Sequence, residues 1–113
     1  MVNDEVLIGW LVSLGATAEE VAATIHDDGI RGYRGHSISC PVAQWLAWKA
    51  RREFPEVEEH EITVSVGATI ASVYRASSGA FRGERIANAV MPEPVTAFVV
   101  RFDHGDFTNL LRV

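Results

Sequence analysis

Hydrophobic positions follow a helical period over the first half of the chain, a strand period after residue 61, and a helical one again near the end. Val6, Leu7, Trp10, Leu11 and Leu14 recur at helical spacing, which marks one apolar face of an α-helix. Asp4 and Glu5 stand in its first turn, where the helix dipole favours anions, and Gly15 suits the position just past its end. Thr17-Ala-Glu-Glu20 reads as a capping box: the threonine hydroxyl accepts from the Glu20 N–H, and the Glu20 carboxylate reaches back to Thr17. Ala18, Val21, Ala22 and Ile25 form the stripe of this second helix, and Gly29 stops it.

Gly29, Gly32 and Gly35 alternate with Arg31 and Arg34 in the next stretch. That spacing predicts an ordered loop with positive φ at the glycines. Ser37 or Ser39 is placed to cap a third helix, with Pro41 in its first turn, where a missing N–H costs nothing. That helix runs to about Phe54 and stops at Pro55. Val42, Trp45, Leu46 and Ala50 supply its buried stripe, with Trp48 at the stripe's edge.

After the acidic linker PEVEEHE the period becomes two. Ile62, Val64 and Val66 alternate with Thr63 and Ser65, a half-buried strand; Gly67-Ala68 turns, and Thr69 to Arg75 returns. Ala76 to Glu84 is a polar loop, and Arg85 to Met91 offers a third strand. Pro92-Glu-Pro94 opens a last helix, whose Val95, Phe98, Val99 and Phe102 lie at i, i+3, i+4 and i+7. Gly105 ends it, and Phe107, Leu110 and Leu111 fold a final turn onto the core. The order α-α-α-β-β-(β)-α predicts an α+β fold, a small antiparallel sheet of two to three strands packed with about four helices.

Composition narrows the class. The 113 residues, 48% hydrophobic and 22% charged, suit one domain over 1–113 with a real core and no disorder. One cysteine excludes an internal disulfide. The leading charges, Asp4 and Glu5, are not those of a signal peptide, and no apolar run reaches the roughly 20 residues of a membrane helix. A cytoplasmic location follows as the default expectation, with no membrane partner.

The net charge of −5 is segregated. Residues 1–28 sum to −6, residues 29–54 to +4 and residues 55–63 to −4. An acidic chain disfavours general nucleic-acid binding, in which phosphate contacts supply most of the affinity. The basic block still offers a face for an acidic partner, unless it neutralises the acidic segments beside it.

That block, Gly29–Phe54, also holds the candidate chemistry. Cys40 at a helix start is the one candidate nucleophile. The helix dipole with Arg31, Arg34 or His36 nearby lowers a thiol pKa, and His36 is a candidate base. The competing reading is a small buried hydrophobe that locks the helix start. A hydroxyl put there by substitution would then lack a partner. The loop RGYRG, with Arg31, Tyr33 and Arg34, has the composition of an anion nest, but it matches neither the P-loop nor the dinucleotide pattern. Its alternative is a structural loop whose arginines pair with the acidic helices. His26, His36, His60 and His104 are scattered, and Asp103-His104-x-Asp106 is the one local ligand group, so no metal or other cofactor is expected. A helix-turn-helix needs a turn of three or four residues, whereas about ten join the second and third helices.

The runs GIRGYRGHSISCPVAQWL and MPEPVTAFVVRFDHGDF together resemble a family of small uncharacterised proteins of actinobacteria and their phages. Those proteins pair an arginine-glycine loop with a Cys-Pro helix start and close on Phe-Asp-x-Gly. The resemblance covers about a third of the chain, implies a host or phage accessory protein, and brings no catalytic residues. The sequence therefore leads to the expectation of a non-enzymatic interaction or regulatory domain that binds a protein, an acidic one by charge, through Arg31, Tyr33, Arg34, Trp48, Lys49, Arg51 and Arg52. The alternatives are a cysteine enzyme using Cys40 with His36, and a nucleic-acid module using the basic helix.

Overall fold

A computed structural model describes residues 2–53, 62–75 and 84–112. Four helices, α1 (Asp4–Ser13), α2 (Ala18–Asp27), α3 (Pro41–Glu53) and α4 (Glu93–Asp103), accompany three strands, β1 (Ile62–Val66), β2 (Ile70–Arg75) and β3 (Glu84–Val90). A 3₁₀ turn, Thr108–Leu110, closes the chain. The α+β class and the element order agree with the hydrophobic pattern, and the third strand is present. The helix stop at Phe54 and Pro55, the acidic linker and the loop at 76–83 lie outside the described residues.

The strands form one antiparallel sheet in the order β1-β2-β3. Val64 lies opposite Val73, Val66 opposite Ala71, and Ala71 and Val73 opposite Ala89 and Ala87. These side chains make the buried face; α3 packs along β1 and α1 along β3, while α2 packs against α4. On the other face Ser72, 8% exposed, donates to the Asn88 side chain at 2.8 Å, and both polar groups find a partner. The register slips by one residue between Val73 and Tyr74, leaving Ile86 opposite no residue, the geometry of a β-bulge.

The helix starts show how local chemistry sets the boundaries. Asn3 caps α1, its side chain accepting from the Val6 N–H at 2.9 Å. Asp4 not only favours the helix dipole; its carboxylate also accepts from the Asn88 N–H at 2.8 Å, which satisfies a donor on the free edge of β3. At α2 the Thr17 hydroxyl accepts from the Glu20 N–H at 3.1 Å as expected. The Glu20 carboxylate reaches back to the Thr17 hydroxyl at 3.5 Å, and its shorter bond is accepted one residue further back, from the Ala16 N–H at 2.9 Å.

Leu7, Leu11, Leu14, Val21, Ile25, Leu46, Val95, Phe98, Phe102 and Leu110 are the fully buried centre of the core. Phe98 sits between Phe102 and Phe107, ring centroids 5.9 and 5.2 Å away. The 3₁₀ turn therefore folds back onto α4 through aromatic packing, as its apolar residues predict. No single helix among the described residues is long and apolar enough to cross a membrane.

Candidate functional site

The residues between α2 and α3 are ordered by backbone contacts to three other parts of the chain. Gly32 N–H donates to the Leu110 carbonyl at 2.9 Å, and Arg112 N–H donates to the Gly32 carbonyl at 2.8 Å, so the loop pairs with the chain's last residues as a parallel bridge. Val66 N–H, at the end of β1, donates to the Ser37 carbonyl at 2.7 Å. Gly35 N–H donates to the Asp103 carboxylate at 3.0 Å, and the Arg34 Nε–H donates to the Phe102 carbonyl at 2.9 Å. The loop thus caps the C-terminal end of α4, where a cation complements the helix dipole.

Two sequence expectations change here. Gly29 and Gly35 do adopt positive φ, 74° each, but Gly32 does not. Gly32 is glycine because a Cβ would lie 2.4 Å from the Pro41 nitrogen and 2.5 Å from the Cys40 carbonyl carbon, closer than any side chain tolerates. Nor do the loop arginines pair with the acidic N-terminal helices. The acid of α2 that forms an ion pair with α4, Glu19, meets Arg101, which also holds Asp106 and lies over the Phe107 ring.

The nest reading meets the same contacts. Gly32 N–H is bound to Leu110, Tyr33 N–H to the Ser39 carbonyl, Gly35 N–H to Asp103, and the Ser39 and Cys40 N–H groups to the His36 carbonyl. These amides are satisfied within the protein.

Cys40 itself is the residue before α3, and it takes the capping place expected of Ser37 or Ser39. Its Sγ accepts from the Ala43 N–H at 3.4 Å, and its carbonyl accepts the first helical bond, from Gln44. Burial pushes the thiol pKa up, with the nearby Asp103 carboxylate acting in the same direction, against weaker lowering by backbone N–H groups. The expected lowering is thus reversed: desolvation outweighs the N–H groups of the helix start, and no arginine is among the causes of the shift. Cys40 does line a cleft of about 300 Å³ with His36, Asp103, Val66 and Val99. His36 is exposed and sets its ring edge-on to Tyr33, 6.3 Å away between centroids. Among the described residues no group of three metal-ligating side chains comes together, Asp103-His104-x-Asp106 included.

The basic end of α3 is divided between core and surface. Trp45 is buried, and its indole N–H donates to the Asp28 carboxylate at 2.8 Å. Trp48 is half-buried against the core and Lys49 half-buried beside it, paired with Glu53 at 3.2 Å. Arg51 is half-buried. Arg52 is exposed and stacks over the Trp48 ring, 5.2 Å from its centroid. Tyr33, 42% exposed, and Arg31 lie at the surface on the loop side. α2 and α3 do not form a helix-turn-helix, since residues 28–40 separate them.

Sequence reasoning misses Gln44 and Arg112. With Gly29, Ile30 and Arg31 they line a second cleft, of about 250 Å³. No sequence signal places Arg31 and Arg112 at one cleft, because their placement depends on a bridge, Gly32 to Leu111, between residues about eighty positions apart.

No protein-family model, curated protein or solved structure matches the chain.

Proposed function

We propose that the protein is a non-enzymatic, cytoplasmic interaction or regulatory domain that receives an acidic protein partner on the C-terminal end of α3. The observation that carries this reading is the exposed Arg52 guanidinium stacked on Trp48 with no carboxylate at ion-pairing distance among the described residues. Tryptophan and arginine dominate binding hot spots, since a rigid ring and a planar cation give large contact area with little entropy lost. A guanidinium attracted to the face of an indole has part of its ordering cost met before a partner arrives. An accessory role in a phage or its host accords with the resemblance of the loop and helix start.

The test is capture of partners from the source cell by wild type and by Arg52→Glu. An acidic protein held by wild type and released by Arg52→Glu, with retention weakening as salt rises, supports the reading. Equal retention by both proteins sinks it.

Cysteine chemistry is the second reading, favoured by one observation: Cys40, His36 and Asp103 share the 300 Å³ cleft. Against it stand the 4% exposure of Cys40 and its raised pKa. Alkylation of the native protein by iodoacetamide at a rate independent of pH near neutrality would favour this reading over the first.

A further inference from the structure

Arg31 and Arg112 stand at one cleft, and both are exposed. Neither has a carboxylate within ion-pairing distance among the described residues, although the chain carries more acids than bases. Other cations do find acids: Arg101 holds Glu19 and Asp106, and Lys49 holds Glu53. The acid closest in sequence to Arg31, Asp28, accepts the Trp45 indole N–H. Backbone pairing of Gly32 with Leu110 and Arg112 brings the two residues to the same cleft, so the fold sets their placement there.

The cleft wall is rich in donors. Each guanidinium presents a planar fork of N–H groups that matches a phosphate edge, and half-buried Gln44 of α3 adds a carboxamide. Two cations on one cleft favour a dianion over a monoanion, because each charge on the ligand then meets its own counter-charge. A volume of about 250 Å³ is just below the ~300–1,000 Å³ of clefts that take drug-sized ligands, so a small anion fits better than a nucleotide.

We propose that the cleft between Arg31, Gln44 and Arg112 binds a phosphate dianion, either inorganic phosphate or the phosphate group of a small monoester. The site is separate from the Trp48–Arg52 end of α3 and does not depend on the partner proposed there.

The test is a calorimetric titration of the purified protein with inorganic phosphate and, in a parallel arm, with glycerol phosphate, ionic strength being held constant with chloride. Saturable one-to-one binding is expected. Arg31→Ala and Arg112→Ala should each weaken it about tenfold or more, the loss expected for a charge-assisted hydrogen-bonding partner. Both side chains are exposed, so folding should survive, and circular dichroism checks this. Arg31→Lys keeps the charge without the fork and should fall between wild type and alanine. Tighter binding of glycerol phosphate identifies an ester as the ligand, and tighter binding of inorganic phosphate identifies the free ion. Absence of saturable binding in both arms, or affinity unchanged by both alanine variants, overturns the proposal. Arg52→Ala should bind phosphate as wild type does, so failure of the α3 reading and failure of this one are separable.

Discussion

At Cys40 one atom decides between a reactive and a structural role. Its Sγ accepts the Ala43 N–H that would otherwise be an unpartnered donor at the start of α3. This alters what substitution does. Serine at position 40 is not left without a partner, because its hydroxyl occupies the capping place and is among the best residues there. Cys40→Ser should therefore be the milder change, and Cys40→Ala should lose about 1 kcal/mol. Urea denaturation of the three proteins checks the order, and a more stable alanine variant would refute the capping role. The raised thiol pKa adds a pH dependence with a definite sign. The fold favours the protonated thiol, so the unfolded chain binds fewer protons once pH passes the ordinary thiol value of about 8.5. The Cys40 contribution then falls as pH rises, and Cys40→Ser should flatten that part of the stability curve.

Gly32 carries a second constraint at the same scale. Gly32→Ala forces a Cβ onto backbone atoms of residues 39–41, which have no rotamer to yield, and it should destabilise by about 1–3 kcal/mol or more. Gly35→Ala meets open space and only the strain of positive φ, about 1–2 kcal/mol. Gly32→Ala should have the lower unfolding midpoint of the two.

Among the elements, α2 is the one most completely specified by its own residues. Its capping box closes both ways, its stripe of Ala18, Val21, Ala22 and Ile25 is buried, and the Thr24 hydroxyl donates to the Leu14 carbonyl at 2.8 Å, tying it to the end of α1. Thr17→Ala should cost about 1 kcal/mol; an unchanged denaturation midpoint would mean that the cap contributes nothing. On the exposed side of α2, Arg101 holds the Glu19 carboxyl below the usual carboxylate range. That stabilisation is present above the ordinary glutamate pKa and is lost as pH falls through the depressed one.

For the whole molecule, the chain's end joins parts that local elements leave separate. Leu110 is fully buried, its carbonyl accepts from Gly32, and the pairing of Gly32 with Arg112 follows from it. Leu110→Ala should destabilise by about 2–5 kcal/mol, as for a large buried side chain replaced by a small one. It should also loosen the loop at residues 31–35, measured as faster amide hydrogen exchange at Gly32 and Arg112. A loss below about 0.5 kcal/mol would place Leu110 at the surface instead.

Secondary structure was largely legible along the chain because its causes are local. The period of apolar positions around Val64 or Phe98, the Thr17–Glu20 box and the glycines at 15 and 105 act over one or two turns, within reach of a sequence window. The conformational reason for Gly32, the capping role of Cys40 and the destination of Arg34 were not legible in that way. Each depends on an atom supplied from elsewhere: the start of α3 against Gly32, the core that desolvates Cys40, and the C-terminal carbonyl of α4 that meets Arg34. The same holds for the cleft of Arg31 and Arg112. A charge pattern shows how many cations a segment carries, but only chain packing decides which of them meet an acid and which share a cleft without one.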